Sequence, residues 1–242
     1  MKQFFTSIFT MAVLLLSTLS LNAQQLPDPG FEDWSGAKFD GNIQPKYWHG
    51  SNVSQVGQSY NFTTREAGRS GYAAKVANTF CGALGIGQVS PGYLTLGTPW
   101  QYLPSITQLS NATGGTDGGI SFTYRPDSMY VWIKRTGSKV SSENYSILFY
   151  SWSGTSQGSS YKANTANSCT STSHTDEESD IRQAMDANAC GTTIKANQVA
   201  EGFFFEMKEY SSWTQIKVPI YYFNDDVPAK CNVVFSASGY PN

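Results

Sequence analysis

The sequence predicts an all-β protein, an antiparallel β-sandwich with one inserted short helix. Short apolar segments recur along the chain, separated by polar turns that contain glycine. Several segments alternate apolar and polar residues with the period that places successive side chains on opposite faces of a strand. The composition agrees, because 14 Tyr, 14 Phe, 6 Trp and 22 Gly accompany only 14% charged residues. Many short strands joined by such turns are typical of sandwiches.

Residues 1–23 are predicted to be a secretory signal peptide. Lys2 supplies the positive start, the stretch from Phe4 to Leu21 is mostly apolar, and cleavage is expected after Ala23. A membrane anchor is the less favoured alternative, because the stretch is short for a span and carries Ser and Thr. We therefore expect residues 24–242 to form one secreted domain, periplasmic or at the cell surface, that does not span the membrane.

The predicted strands follow one another at regular intervals. In chain order they cover residues 73–77, 93–96, 119–124, 129–134, 145–152, 214–222 and 231–235. The strand 129–134 has the clearest alternation, with Met129, Val131 and Ile133 on one face and Tyr130, Trp132 and Lys134 on the other. In the next strand, alternation opposes Tyr145, Ile147 and Phe149 to Leu148, Tyr150 and Trp152.

Residues 153–200 are predicted to be an insertion made of a polar loop and a helix. Thr175 and Glu178 have the spacing of a capping box, and apolar residues with helical spacing follow, so a helix is expected over 176–189. Four acidic residues crowd its first turn, where the helix dipole favours negative charge. Calcium binding is the functional alternative for this acidic cluster.

Four cysteines in an exported chain suggest disulfides. We expect Cys169 to pair with Cys190, because this bond would close one local polar loop. Cys81 and Cys231 lie next to predicted strands and either pair or remain buried thiols. A zinc site is disfavoured, since the sequence has no CxxC spacing and only two histidines.

Several segments together resemble the PCMD family, a family of carbohydrate metabolism domains in secreted and surface proteins of Bacteroidetes. The resemblance covers most of the chain after the leader and depends on the order and spacing of the motifs. These motifs are GFEDW (30–34), PKYW (45–48) with Asn52, GYAAKV (71–76), YRP (124–126), YVWIK (130–134) and Trp213 with IKVP (216–219).

The resemblance implies a jelly-roll sandwich similar to carbohydrate-binding modules, and a role in glycan handling outside the inner membrane. Domains of this family usually close with a further strand that carries an acidic pair. Here only 236–242 follow the last predicted strand, so we expect that strand to be missing and the sheet edge to be open.

The stretch GFEDW raises the question of what Glu32 and Asp33 do. Adjacent strand residues point to opposite faces, so the two acids are not expected to flank one glycosidic bond. Similar sugar-binding sandwiches hold a structural calcium ion through a Glu at this place, which makes Glu32 a candidate ligand. The remaining interpretation is a polar edge on a first strand that Phe31 and Trp34 anchor in the core.

A sugar site needs a flat aromatic ring beside a few fixed polar groups. The face with Tyr130, Trp132 and Lys134 has this chemistry, and Arg125 precedes it in the sequence. Trp152 on the next strand would extend the platform. Trp100 and Tyr102 are predicted to lie in a loop, where they would line a site at the edge of the sandwich or cover the end of the core. A place for Trp132 in the core is the competing interpretation.

These observations favour a glycan-binding module without an identifiable catalytic set. A structural or adhesive cell-envelope protein and a glycoside hydrolase-like enzyme are the alternatives. The net charge of −2 and the lack of a basic patch or tail argue against nucleic acid as a partner.

Overall fold

The computed structural model describes residues 26–38, 42–55, 58–83, 86–102, 113–137, 143–154, 161–163, 169–171 and 197–238. All regular secondary structure in these residues is β-strand, and every strand pair is antiparallel. The prediction of an all-β antiparallel sandwich is therefore confirmed. The predicted signal peptide and the predicted helix over 176–189 lie outside the described residues.

The strands are β1 (Gly36–Lys38), β2 (Asn42–Gln44), β3 (His49–Gly50), β4 (Val53–Gln55), β5 (Gln58–Tyr60), β6 (Thr63–Ala67), β7 (Tyr72–Val76), β8 (Thr79–Ala83), β9 (Ile86–Ser90), β10 (Tyr93–Thr95), β11 (Thr98–Tyr102), β12 (Thr113–Asp117), β13 (Ile120–Ser121), β14 (Ser128–Arg135), β15 (Tyr145–Ser153), β16 (Tyr161–Ala163), β17 (Cys169–Ser171), β18 (Asn197–Glu206), β19 (Tyr210–Tyr222) and β20 (Lys230–Ser236).

The main sheet has eight strands in the order β14-β19-β18-β15-β20-β10-β3, with β13 added beside β20. The long strand β19 makes this sheet curl. It pairs with β14 along most of its length but with β18 only near its end, where Gly202 lies opposite Ile220. As a result, the apolar side chains of β14 and β19 pack against Tyr145 and Ile147 of β15 instead of lying beside them in one plane.

A second apolar cluster fills the middle of the sandwich. Its fully buried members come from β10, β15, β18, β19, β20 and the connections between strands. Ala74 and Val76 of the β6–β7 hairpin pack against this cluster, so the hairpin belongs to the opposing layer. Burial of these side chains supplies the main driving force for the fold.

β15 and β20 are buried on both faces. Every residue of β15 except Tyr150 and Ser153 is buried, and five of the seven residues of β20 are buried. Trp152 is only 2% exposed. The predicted alternation along β15 is present, but both of its faces are covered. The placement of Trp152 on an open ligand platform is therefore wrong, because its ring lies in the protein interior.

The GFEDW stretch is a turn and not the first strand that the sequence suggested. Asp28 and Phe31 have φ angles of 42° and 55°, in the left-handed region. The Asp28 carboxylate accepts hydrogen bonds from the backbone N–H groups of Glu32 (3.0 Å) and Asp33 (3.2 Å), which fixes the turn. The predicted anchoring by aromatic residues is confirmed, because Trp34 is buried and Phe31 packs against the central cluster.

The region after β15 also differs from the prediction. β18 was not predicted, and it begins at Asn197, inside the expected 153–200 insertion. Two short strands, β16 and β17, pair within the expected polar loop. The 97–102 segment, predicted as a loop, contains strand β11, which pairs with β12.

Cys81 and Cys231 are free thiols, so the alternative in which they pair with each other is wrong. Burial raises the pKa of Cys231 to about 12, which keeps this thiol protonated at neutral pH. Cys190 lies outside the described residues, and the expected Cys169–Cys190 disulfide stays a prediction.

Candidate functional site: an aromatic platform on the outer face of the sheet

The outer face of β14 carries two exposed aromatic rings. Tyr130 is 57% exposed and Trp132 is 42% exposed. Lys134 follows on the same face and is also exposed. The opposite face of β14 packs into the core through Met129, Val131 and Ile133, as the alternation predicted. Core packing on one face therefore fixes the strand, and the aromatic rings of the other face are left in solvent.

β19 supplies the neighbouring side chains on this face. Lys217 lies directly opposite Tyr130, and Gln215 lies opposite Trp132. Side chains that face each other across an antiparallel pair project from the same side of the sheet. We call the group formed by Tyr130, Trp132, Lys134, Gln215 and Lys217 the platform.

Two cations lie against the platform rings. The Arg69 guanidinium carbon is 4.3 Å from the centre of the Trp132 ring. The Lys217 ammonium nitrogen is 6.0 Å from the centre of the Tyr130 ring. Both distances fall within the range of cation–π attraction. Arg69 comes from the turn of the β6–β7 hairpin, so this contact links the opposing layer to the platform.

Glu32 positions that hairpin turn. Both oxygens of its carboxylate accept the backbone N–H of Tyr72 at 3.1 Å. Gly71 has a φ of 72°, and a Cβ at this position would overlap the Glu32 carboxylate. The GFEDW turn and the Arg69 turn therefore fit each other, and glycine is required where they meet.

Calcium binding by Glu32 stays a prediction. Within the described residues, no group of three or more His, Cys, Asp or Glu side chains is placed to hold a metal ion. Asp33, the adjacent acid, forms an ion pair with Lys46 at 3.2 Å instead. Hydrogen bonds from Ser35, followed by the bond from Lys46, lower the pKa of the Asp33 carboxyl. Glu32 and Asp33 therefore hold local structure.

A groove of about 670 Å³ runs along the edge of the platform. The edge strand β14 forms one wall, β7 and the residues after it form the other, and Leu94, Ile147 and Phe235 reach its base. Trp132, Lys134 and Trp213 line its mouth. Trp213 is half-buried. Trp132 thus belongs both to the flat outer face and to the groove.

Tyr145 and Tyr210 lie at one end of this region. The Tyr210 hydroxyl donates to Glu206 at 2.5 Å, and Tyr145 is packed beside this pair. Burial raises the pKa of Tyr210 to about 12. Burial, followed by the proximity of Tyr210 and Glu206, raises the pKa of Tyr145 further. The Tyr145 hydroxyl has no hydrogen-bond partner of good geometry among the described residues.

Arg125 has contacts of a different kind from those expected at the platform. Its guanidinium donates to the backbone carbonyls of Asn224 (2.9 Å) and Asp226. It also stacks on the Tyr222 ring at 4.1 Å. Tyr222 packs against the central cluster and not on the outer face. Arg125 therefore holds the turn after β19 and is not part of the platform.

The side chains of Trp100 and Tyr102 lie outside the part of the chain whose side chains are described. Their role as ligand contacts stays a prediction.

The outer face extends beyond the residues that the sequence suggested. Phe203 and Phe205 on β18 are exposed and stacked, with ring centres 5.8 Å apart and planes at 15°. Tyr221 and Phe223 are also exposed, and they follow Lys217 with the period of a strand. Two signals in the sequence were overlooked: the alternation of 217–223 opposite Ile216, Val218 and Ile220, and the run of phenylalanines at 203–205.

Comparisons with protein-family models, with curated proteins and with solved structures find no match to this chain. The resemblance to the PCMD family therefore stays a prediction. In the described residues, no helix has the length and apolar character needed to cross a membrane.

Proposed function

We propose that this chain is a secreted glycan-binding module, and that the platform on β14 and β19 binds the sugar. The observation that carries the proposal is the exposure of Tyr130 and Trp132 on a strand whose other face is anchored in the core. Sugar rings present apolar C–H faces surrounded by hydroxyl groups. Rigid aromatic rings with hydrogen-bonding side chains beside them provide a matching surface.

The arrangement around the rings supports this proposal. Gln215 lies opposite Trp132 and offers both a donor and an acceptor to sugar hydroxyls. Lys134 and Lys217 add charged donors on the same face. The groove beside Trp132 gives a polysaccharide a second surface along the edge of β14. A chain of several sugar units is therefore a better fit than a single sugar.

Loss of glycan binding in Trp132→Ala is the decisive test. The mature protein and the variant are screened on a glycan array, and both are checked by thermal unfolding. We expect the wild type to bind and the folded variant to lose binding by about fivefold or more, as removal of a stacking aromatic costs about 1 kcal/mol or more. Phe80→Ala is the matched control, because Phe80 is also an exposed aromatic residue but lies on the β8–β9 hairpin.

Retained binding in Trp132→Ala would show that the platform is not the sugar site. Loss of binding in Phe80→Ala alone would move the site to the other hairpin.

A structural or adhesive envelope protein is the second candidate. The exposed stack of Phe203 and Phe205 favours it, since contiguous exposed apolar surface often marks contact with other macromolecules. A blank array from folded wild-type protein would favour this candidate over the first.

A further inference from the structure

Three cations, Arg69, Lys134 and Lys217, lie around the platform rings. Elsewhere, Lys46 pairs with Asp33 at 3.2 Å and Lys75 pairs with Glu66 at 3.1 Å. Within the described residues, no carboxylate forms an ion pair with Arg69, Lys134 or Lys217. Three cations without a carboxylate partner therefore lie around the two exposed rings of a chain whose net charge is −2.

The local sheet face has no negative charge to balance these groups. From Ser128 to Lys134 on β14 and from Gln215 to Pro219 on β19, the outward side chains are polar, aromatic or cationic apart from Pro219, and none is acidic. Glu201, on the outer side of β18, lies opposite Tyr221 and accepts a hydrogen bond from Gln198 at 3.2 Å. The sheet face around Trp132 is thus aromatic and positive, while the groove beside it also contains Glu66, which pairs with Lys75, and Glu143, which accepts a hydrogen bond from Asn78.

The position of Arg69 suits recognition of an anion. Stacking on Trp132 orients the planar guanidinium, so less conformational freedom is lost when its N–H groups bind a ligand. A guanidinium binds a carboxylate or a sulfate group through two parallel hydrogen bonds, and an anionic sugar carries such a group at the edge of an apolar ring face. Ring stacking and charge recognition can therefore act on the same sugar unit.

We propose that the ligand of the platform is an anionic polysaccharide, whose carboxylate or sulfate groups are bound by Arg69, Lys134 and Lys217. This inference depends on the proposed function and names its ligand class. Nucleic acid shares the negative charge, but three cations on an acidic chain are a weak match to a continuous phosphate backbone.

Affinity electrophoresis of the mature protein tests the proposal with defined polymers. Polygalacturonate and alginate carry carboxylates, chondroitin sulfate adds sulfates, and xylan and methyl-esterified pectin are the weakly charged comparisons. We expect at least one anionic polymer to retard the protein more than the weakly charged ones. This retardation is expected to weaken strongly at about 0.5 M salt, because salt screens exposed charges.

Three variants assign the effect to the platform. Arg69→Gln is expected to weaken binding of the anionic polymer about tenfold, and Arg69→Lys less, because it keeps the charge but loses the planar fork. Lys46→Gln removes the same charge from an ion pair outside the platform and is expected to change binding by less than about twofold. Thermal unfolding confirms that each variant is folded.

The outcomes separate this inference from the proposed function. Binding to weakly charged polymers alone would overturn the anionic ligand and leave a glycan-binding module. Absence of binding to every polymer would overturn both. Equal losses in Arg69→Gln and Lys46→Gln, or equal retardation by single-stranded DNA, would show nonspecific charge attraction and overturn the inference.

Discussion

Trp132 and Trp152 occupy equivalent places in two alternating strands, but their surroundings are opposite. Trp132 on β14 is 42% exposed, while Trp152 on β15 is 2% exposed. β14 is the edge strand of the main sheet and is covered on one face. β15 lies between β18 and β20 and is covered on both faces. Alternation shows which side chains share a face, and the position of a strand in the sheet decides how many faces are buried.

The largest effect that this comparison predicts is on stability. Trp152→Ala is expected to lower the free energy of unfolding by about 3–5 kcal/mol, because it leaves a large cavity in the interior. Trp132→Ala is expected to lower it by about 1 kcal/mol or less, the size of the lost contact with Arg69.

Urea unfolding of the mature protein, followed by circular dichroism, measures both variants under one condition. Equal destabilisation by Trp152→Ala and Trp132→Ala would contradict the contrast between β15, which is buried on both faces, and β14, which is buried on one. A small loss in Trp152→Ala would show that the region around this ring collapses to fill the space.

The sequence was a good guide where one face of a strand meets the core and the other meets water. Period-two alternation placed Met129, Val131 and Ile133 inside and Tyr130 and Trp132 outside, as the structure has them. The same rule could not place Trp152. Whether its face is covered depends on strand pairing between segments far apart in the chain, which a local pattern does not contain.

Other parts of the site depend on contacts that local sequence patterns do not encode. Asp28 bonds to the backbone of Glu32 and Asp33 and turns an apparent strand into a left-handed turn. Arg69 reaches Trp132 only because Glu32 fixes a hairpin turn forty residues further along the chain. β18 was overlooked because it directly follows the polar insertion, where turn signals dominate.

Buried and exposed amide side chains show the same contrast, with a smaller expected effect on the free energy of unfolding. Asn52 is buried, and its amide accepts from the N–H groups of Phe62 and Thr63 (both 2.7 Å) and donates to the Thr63 carbonyl (3.0 Å). Asn52→Ala is expected to cost about 2–3 kcal/mol, because it leaves buried backbone groups without partners. Gln215→Ala, at an exposed amide on the platform, is expected to change stability by less than about 0.5 kcal/mol.

The same urea titration measures both amide variants. If Asn52→Ala lowers the free energy of unfolding less than Gln215→Ala does, water replaces the Asn52 amide. The hairpin beside Asn52 would then be less tightly closed than the hydrogen bonds indicate.

The smallest expected effect concerns two tyrosines, buried Tyr145 and exposed Tyr130. Burial, with Tyr210 and Glu206 nearby, raises the pKa of Tyr145 in the folded chain above its ordinary value. The unfolded chain therefore loses this proton first as the pH rises above about 10, which favours unfolding. The stability that neutral Tyr145 contributes is complete below that pH and declines above it.

Tyr145→Phe removes this titration and should leave neutral-pH stability nearly unchanged, because the hydroxyl has no well-placed partner among the described residues. Its stability should then decline less than that of the wild type between about pH 9 and 11. Tyr130→Phe is the matched control, because it removes the same hydroxyl at an exposed position. Burial of Cys231 gives the wild type and both variants the same additional decline, so only the difference between them reports on Tyr145. Identical declines in all three proteins would mean that solvent reaches Tyr145, and that this end of β15 is covered on fewer faces than its middle.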